Sequence, residues 1–241
     1  MGQIVRNEDL LARIVRAVDK AVSDDLPQYK RENPTETSNH IPQKRADLIN
    51  TNLRQLCVVE GTELHPFTRY SWQGRILIDH PNRTTYTVTT KSTLKSIPKK
   101  ERNSPHFLQS LLGIENAGIE PRALQLSLFP GEAFSLDVLR DDYNSIMAGV
   151  IDLTTGYQHY VVAYALSGDG IKDIRMDFLD GYFNLIDTMP LNEFIQSDYA
   201  RLTAPCSLEN DSPKSETKTS RDLLSIKPGL PLKPHDDEEE A

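Results

Sequence analysis

The sequence predicts an α+β fold: an antiparallel sheet packed on one face by N-terminal and middle helices, followed by a disordered acidic tail. Three observations predict it. Apolar residues near the N-terminus recur at helical spacing, at Leu11, Ile14, Val15, Val18 and Val22 and again at Leu48, Ile49, Leu53 and Leu56. From Phe67 the period changes to two, the spacing of a half-buried strand. From about Thr203, Ser, Thr, Lys, Pro and Asp dominate, and the chain closes on Asp236-Asp-Glu-Glu-Glu240. The expected organisation is one domain over residues 1–202 and a tail over 203–241.

The first helix is capped by Asn7, with Glu8 and Asp9 in its first turn. It is expected to stop before Pro27, and the polar residues 27–44 read as a loop. A second helix is expected from Arg45 to Cys57. Arg75–Asp79 and Thr84–Thr90 form a central hairpin around the turn residues His80-Pro-Asn-Arg83. Ser104-Pro105 starts a short helix whose apolar face is Phe107, Leu108, Leu111 and Leu112, with Gly113 as its end. A three-stranded meander follows, over Ser145–Leu153, Tyr157–Leu166 and Ile171–Leu179, with turns at Thr154-Thr-Gly156 and Ser167-Gly-Asp-Gly170. A further strand near Phe183–Ile186 and a helix from Leu191 complete the domain. In the tail, Leu223, Leu224, Ile226, Leu230 and Leu232 read either as a docking peptide for a protein partner or as a plain linker.

The 241 residues carry a formal net charge of −8. Two cysteines, Cys57 and Cys206, make no disulfide framework and suit a reducing compartment. No stretch approaches the ~18 apolar residues of a membrane helix, and Met1–Asn7 has no long apolar run, so no signal peptide is expected. The expectation is a soluble cytoplasmic protein without membrane contact.

The acidity hides a basic segment. Arg69, Arg75, Arg83, Lys91, Lys95, Lys99, Lys100 and Arg102 face only Asp79 and Glu101 in the same stretch, eight charges against two, a local net of +6. Tyr70, Trp72 and Tyr86 lie among them. Cations neutralise phosphates and aromatic rings stack on unpaired bases, so these eight residues are a candidate nucleic-acid-binding set. A solvated hairpin with its rings in the core fits the same pattern.

Catalytic motifs are missing: no P-loop, dinucleotide loop, Gly-x-Ser-x-Gly elbow or Cys-x-x-Cys pair occurs, and no two histidines have ligand spacing on one helix. No catalytic residue, metal or cofactor is expected. Asp79 precedes Lys91 across the hairpin, as the acid and lysine do in restriction-type nucleases, but Thr89 stands where the second acid belongs. Asp173, Asp177 and Asp180 on or beside the last meander strand read as exposed strand charge.

The most specific feature is Gln125-Leu126-Ser127-Leu128-Phe129, bracketed by Pro121 and Pro130-Gly131. It resembles the short peptide by which bacterial DNA polymerases, mismatch-repair proteins and replication regulators hold the sliding clamp. All five positions agree, a coincidence expected in roughly one of one or two thousand chains this long. Leu128 and Phe129 are adjacent apolar anchors and Gln125 fixes register by directed hydrogen bonds. The resemblance implies a sliding clamp as partner, with DNA beside it, and a non-enzymatic role in or on bacterial replication or repair. Replication-blocking toxins of toxin–antitoxin pairs include such clamp binders, and the size of the chain is compatible with theirs. The alternatives are a clamp-recruited nuclease-like enzyme and a regulatory interaction protein in which Leu124, Leu126 and Leu128 are one side of a core strand. The helices, hairpin and meander together resemble an uncharacterised bacterial domain family.

Overall fold

The computed structural model describes residues 7–69, 71–100, 102–119, 134–168 and 170–195. The chain divides into two units, Met1–Leu202 and Thr203–Ala241; every described residue belongs to the first. Gln125–Phe129 and the acidic tail lie outside the described residues.

Asn7 caps α1 (Glu8–Lys20) by accepting from the Leu10 N–H at 3.2 Å, and Leu11, Ile14, Val15 and Val18 are fully buried. The helical path does not stop before Pro27. It widens into one π turn, Ala21–Asp25, in which the Leu26 N–H reaches back to the Ala21 carbonyl, and then continues as α2 (Leu26–Glu32). In a regular helix the Pro27 ring would press on the carbonyl of Ser23; the wider turn accommodates it. The second helix, α3 (Ile41–Cys57), starts four residues earlier than expected because Pro42 is tolerated in a first turn.

Six strands lie in the order β1-β2-β3-β4-β5-β6. They are β1 (Thr62–Arg69), β2 (Trp72–Asp79), β3 (Thr84–Thr90), β4 (Gln158–Ser167), β5 (Gly170–Leu179) and β6 (Leu185–Pro190). All neighbours pair antiparallel except β3 and β4, which run parallel from Thr84↔Gln158 to Thr90↔Tyr164. That parallel pair requires a crossover. It is made of α4 (Lys91–Ser96), a 3-10 turn, α5 (Phe107–Glu115) and α6 (Leu136–Met147).

Several expectations fail here. Ser145–Leu153 is not a strand: it is the end of α6, a left-handed Ala148 at φ 47° and a short 3-10 turn. Ile146 and Met147 are buried as a helix face, which a short apolar run does not distinguish from a strand. The meander is instead β4-β5-β6. Helices also cover both sheet faces. One apolar cluster joins α1 and α3 to Leu77, Tyr86, Val162, Met176 and Phe178. The other joins α4, α5 and α6 to Ile76, Ile78, Val161 and Ala163. The central strands therefore read as apolar runs, Ile76-Leu77-Ile78 and Tyr160-Val-Val-Ala-Tyr164, rather than as alternation. Gly113 does not end α5. It lies inside the helix, where a Cβ would come within 2.9 Å of Leu139 Cδ1, and Gly181 packs on its Cα. Of the helix expected from Leu191, the described residues hold the 3-10 turn Asn192–Phe194, and the positions after 195 lie outside them.

Candidate nucleic-acid interface

The β1–β2 hairpin turns in two residues, so Arg69 and Trp72 are register partners and leave the sheet on one face. Phe67 and Gly74, the next pair on that face, face each other in the same way. Without a Cβ at Gly74, the Phe67 ring and the edge of the Trp72 indole lie over the strand. The start of α5 closes the other side. Trp72 stacks on Phe107 at 5.2 Å between centroids and 26° between planes. Phe67 meets both rings, edge-on to Trp72 at 5.4 Å and tilted on Phe107 at 5.3 Å. His106 packs on Phe107 at 4.4 Å.

Together Arg69, Trp72, Arg102, Ser104, Pro105, His106 and Phe107 line a cleft of about 360 Å³. The Arg69 guanidinium is held at 2.9 Å by Asp142 of α6, whose other oxygen accepts from the Ser110 hydroxyl. Arg102 has no carboxylate partner among the described residues, and its buried Nε finds no hydrogen-bond acceptor. His106 accepts the Leu108 N–H, while Gln109 accepts the His106 N–H, a reciprocal cap on α5. Burial, with the charges of Arg102 and Arg69, pushes the His106 imidazole down to about 4, so it is a neutral ring at pH 7. Trp72 is 39% exposed, whereas Phe67 is 4% exposed. The cleft thus has an aromatic wall, one tethered guanidinium and one with no carboxylate partner among the described residues.

The eight basic residues of the segment do not share one face. Arg69 and Arg102 meet in the cleft. Arg75 lies on the opposite face of β2 and donates to the Gly74 carbonyl at 2.7 Å. Arg83 sits in the β2–β3 turn at φ 52° and donates to Thr155 O at 2.9 Å. Lys91 pairs with Asp173 of β5. Lys95, Lys99 and Lys100 are exposed on α4 and the turn after it. Of the three aromatic residues, Trp72 lines the cleft, Tyr86 is core stacked on Tyr160 at 5.8 Å, and Tyr70 is outside the described residues. Phe107, His106 and Asp142 escaped the sequence reading as cleft residues. Phe107 was legible only as one more apolar position of a helix.

The acid and lysine of the nuclease pattern are not neighbours. Asp79 pairs with Thr84 at the start of β3, and Lys91 follows its other end, a strand length of roughly 20 Å away. Asp79 is 1% exposed and accepts from Asn7 Nδ2 and Asn82 Nδ2, each at 2.8 Å. Asp180 holds its own turn through the N–H groups of Tyr182 and Asn184. Asp177 is also buried rather than exposed, between Arg175 and Thr188. Among the described residues no group of three or more His, Cys, Asp or Glu is arranged to hold a metal ion, and no helix is long and apolar enough to cross a membrane. Cys57 is buried and its thiol is pushed up to about 12, mainly by desolvation.

One buried polar chain runs between the sheet and α5–α6. Tyr143 donates to Glu115 at 3.0 Å; the Thr85 hydroxyl bridges Glu115 and His159 Nδ1; Thr87 meets His159 Nε2 at 2.9 Å. Desolvation raises Glu115 to about 7 and lowers His159 to about 3. Both side chains are 0% exposed, so this chain of groups belongs to the core.

A family model matches residues 4–241 and so takes in the whole sheet, its helices and the cleft. The chain belongs to the family of unknown function DUF5986. That match is consistent with the resemblance of the body to an uncharacterised domain family. No curated protein and no solved structure matches this DUF5986 chain, so the cleft residues have only their own chemistry to speak for them.

Proposed function

We propose that this protein is a non-enzymatic ligand of a bacterial DNA sliding clamp, held through Gln125–Phe129, and that it acts in or on DNA replication or repair. The observation that carries the reading is the motif's place in the chain. Ser110 meets Asp142 and Gly113 meets Leu139, so α5 and α6 are antiparallel neighbours. The end of α5 and the start of α6 are therefore adjacent, and connections between such ends usually take about 2–8 residues. Here residues 116–135, twenty in all, stand between them, with all five motif positions inside. A connection so much longer than the helix ends require is either a functional insertion or a linker, and the motif inside it favours the first. Leu128 and Phe129 in a groove on the clamp would contribute roughly 1.5–3 kcal/mol each.

Competition tests the proposal. A clamp fixed to a sensor surface is expected to capture the full chain, and an excess of a peptide of residues 121–131 is expected to release it. Failure of capture, or capture that the peptide does not displace, overturns the reading.

A further inference from the structure

We propose that the cleft between the β1–β2 turn and the start of α5 binds one unpaired nucleotide, its base on the Trp72 indole and its phosphate between Arg102 and Arg69. The site does not depend on the clamp reading, because it is built from different residues.

Four observations carry it. The cleft, about 360 Å³, is at the lower end of the roughly 300–1,000 Å³ typical of small-ligand sites and suits one nucleotide rather than a duplex. Its wall is an aromatic stack extended by one more ring if a base lies on the indole. Phe107 occupies one face of Trp72, yet the residue is still 39% exposed. What distinguishes the ring is its setting: its accessible surface lies in the cleft with two arginines, where a base can stack on it. The third observation is Arg102, which has no carboxylate partner, and whose Nε has no acceptor, among the described residues. A phosphate in the cleft would pair with this half-buried guanidinium through its charge and its terminal nitrogens. The fourth is the anchoring of Arg69. Asp142 holds it at 2.9 Å and is itself held by Ser110, so that guanidinium is positioned before any ligand arrives.

The same geometry argues for an unpaired base. A paired base has its faces covered by its neighbours in the stack, and reaching an indole at the side of a concave site requires it to leave them. The neutral His106 ring on Phe107 completes the aromatic side without adding charge.

Trp72 is the single tryptophan of the chain, so its emission reports on this site alone. The full chain is titrated at low salt with a short oligothymidylate, with the same sequence as a duplex, and with thymidine monophosphate. Single strand is expected to quench Trp72 and duplex at equal concentration to leave it unchanged. Quenching by the monophosphate at equal affinity identifies a free nucleotide as the source, and quenching that needs the oligomer identifies a strand; each supports the shared chemistry. Arg102→Ala is expected to weaken quenching at least about tenfold. Trp72→Ala, followed by anisotropy of a labelled oligomer, is expected to lose roughly ten- to a hundredfold. The salt slope is expected near −0.7, the value for the one phosphate held. No quenching by any of the three probes, equal affinity in Arg102→Ala, or a steep slope that vanishes on charge reversal of Lys95, Lys99 and Lys100 while Trp72→Ala still binds would overturn the assignment.

Discussion

Gly74 and Phe67 stand opposite each other in the β1–β2 register, and the ring of one fills the space that the other leaves empty. A Cβ at Gly74 would lie 2.7 Å from Trp72 Cη2 and closer still to Phe67 Cζ. Phe67 cannot withdraw, because it is buried between Trp72 and Phe107. Gly74→Ala is therefore expected to cost about 1–3 kcal/mol, the usual range for overpacking. Thermal melting reads the cost, and Trp72 emission reads the displaced indole. An unchanged melting temperature and spectrum would show that the aromatic wall is looser than its geometry.

Asn116 is the second test of how the sheet and α5 are joined. Its side chain donates to the carbonyls of His159 at 2.9 Å and Leu179 at 2.7 Å and accepts the His159 N–H at 2.8 Å. One buried amide thus satisfies three backbone groups of β4 and β5. Asn116→Ala leaves those groups unpaired and is expected to cost at least about 3 kcal/mol, from roughly 1–3 kcal/mol for each. Denaturant unfolding checks it; a loss under about 1 kcal/mol would mean that water replaces the amide.

The buried chain of groups around Glu115 gives a pH prediction. Glu115 titrates near 7 in the fold against 4.5 unfolded, and His159 near 3 against 6.5. Between pH 4.5 and 6.5 each state binds one proton on this pair, on Glu115 when folded and on His159 when unfolded, so the pair contributes no slope. Below 4.5 the unfolded chain binds one more proton than the fold, and stability falls by about 1.4 kcal/mol per unit down to pH 3. Glu115→Gln stands in for the uncharged acid: its amide oxygen accepts from Tyr143, and Thr85, which donates to Glu115 in the fold, can turn its proton to His159 Nδ1 and accept from the amide. Above pH 7 it is expected to be more stable than the parent by on the order of 3 kcal/mol, and below pH 4.5 to be equal. Melting curves at pH 4 and pH 8 decide; a variant less stable at pH 8 would show that Glu115 is ionised and well solvated by its hydrogen bonds.

Local signals were the legible part of the fold. Asn7 at its cap, the stripe of α1, the β2–β3 hairpin and the β4–β5 pair follow from spacing and turn chemistry alone. The missing elements share a physical cause. Strands buried on both faces lose alternation, so β1 with Leu64 and Phe67 inward on opposite sides gave only half a signal. The short α6 carries Tyr143, Ile146 and Met147 near its end, and the run into Val150 and Ile151 imitates a strand. The parallel β3–β4 pair is a long-range choice that no window of sequence contains. In the candidate site, Arg69, Arg102 and Trp72 were legible as basic and aromatic residues of one segment. Their meeting with Phe107 and Asp142 was not, because it depends on α5 and α6 folding back over the hairpin.

The central claim concerns Leu128 and Phe129, and binding measured together with stability on one double variant tests it most directly. Calorimetric titration of a bacterial sliding clamp with the parent chain and with Leu128→Ala/Phe129→Ala, next to thermal melts of both, gives the two quantities. If the anchors serve the clamp, the melting temperature is expected to stay within a few degrees while affinity falls on the order of a hundredfold to ten-thousandfold. If they serve the core, Phe to Ala alone costs roughly 3–5 kcal/mol of stability. A double variant that unfolds, from a parent that gives no heat with the clamp, would contradict the account.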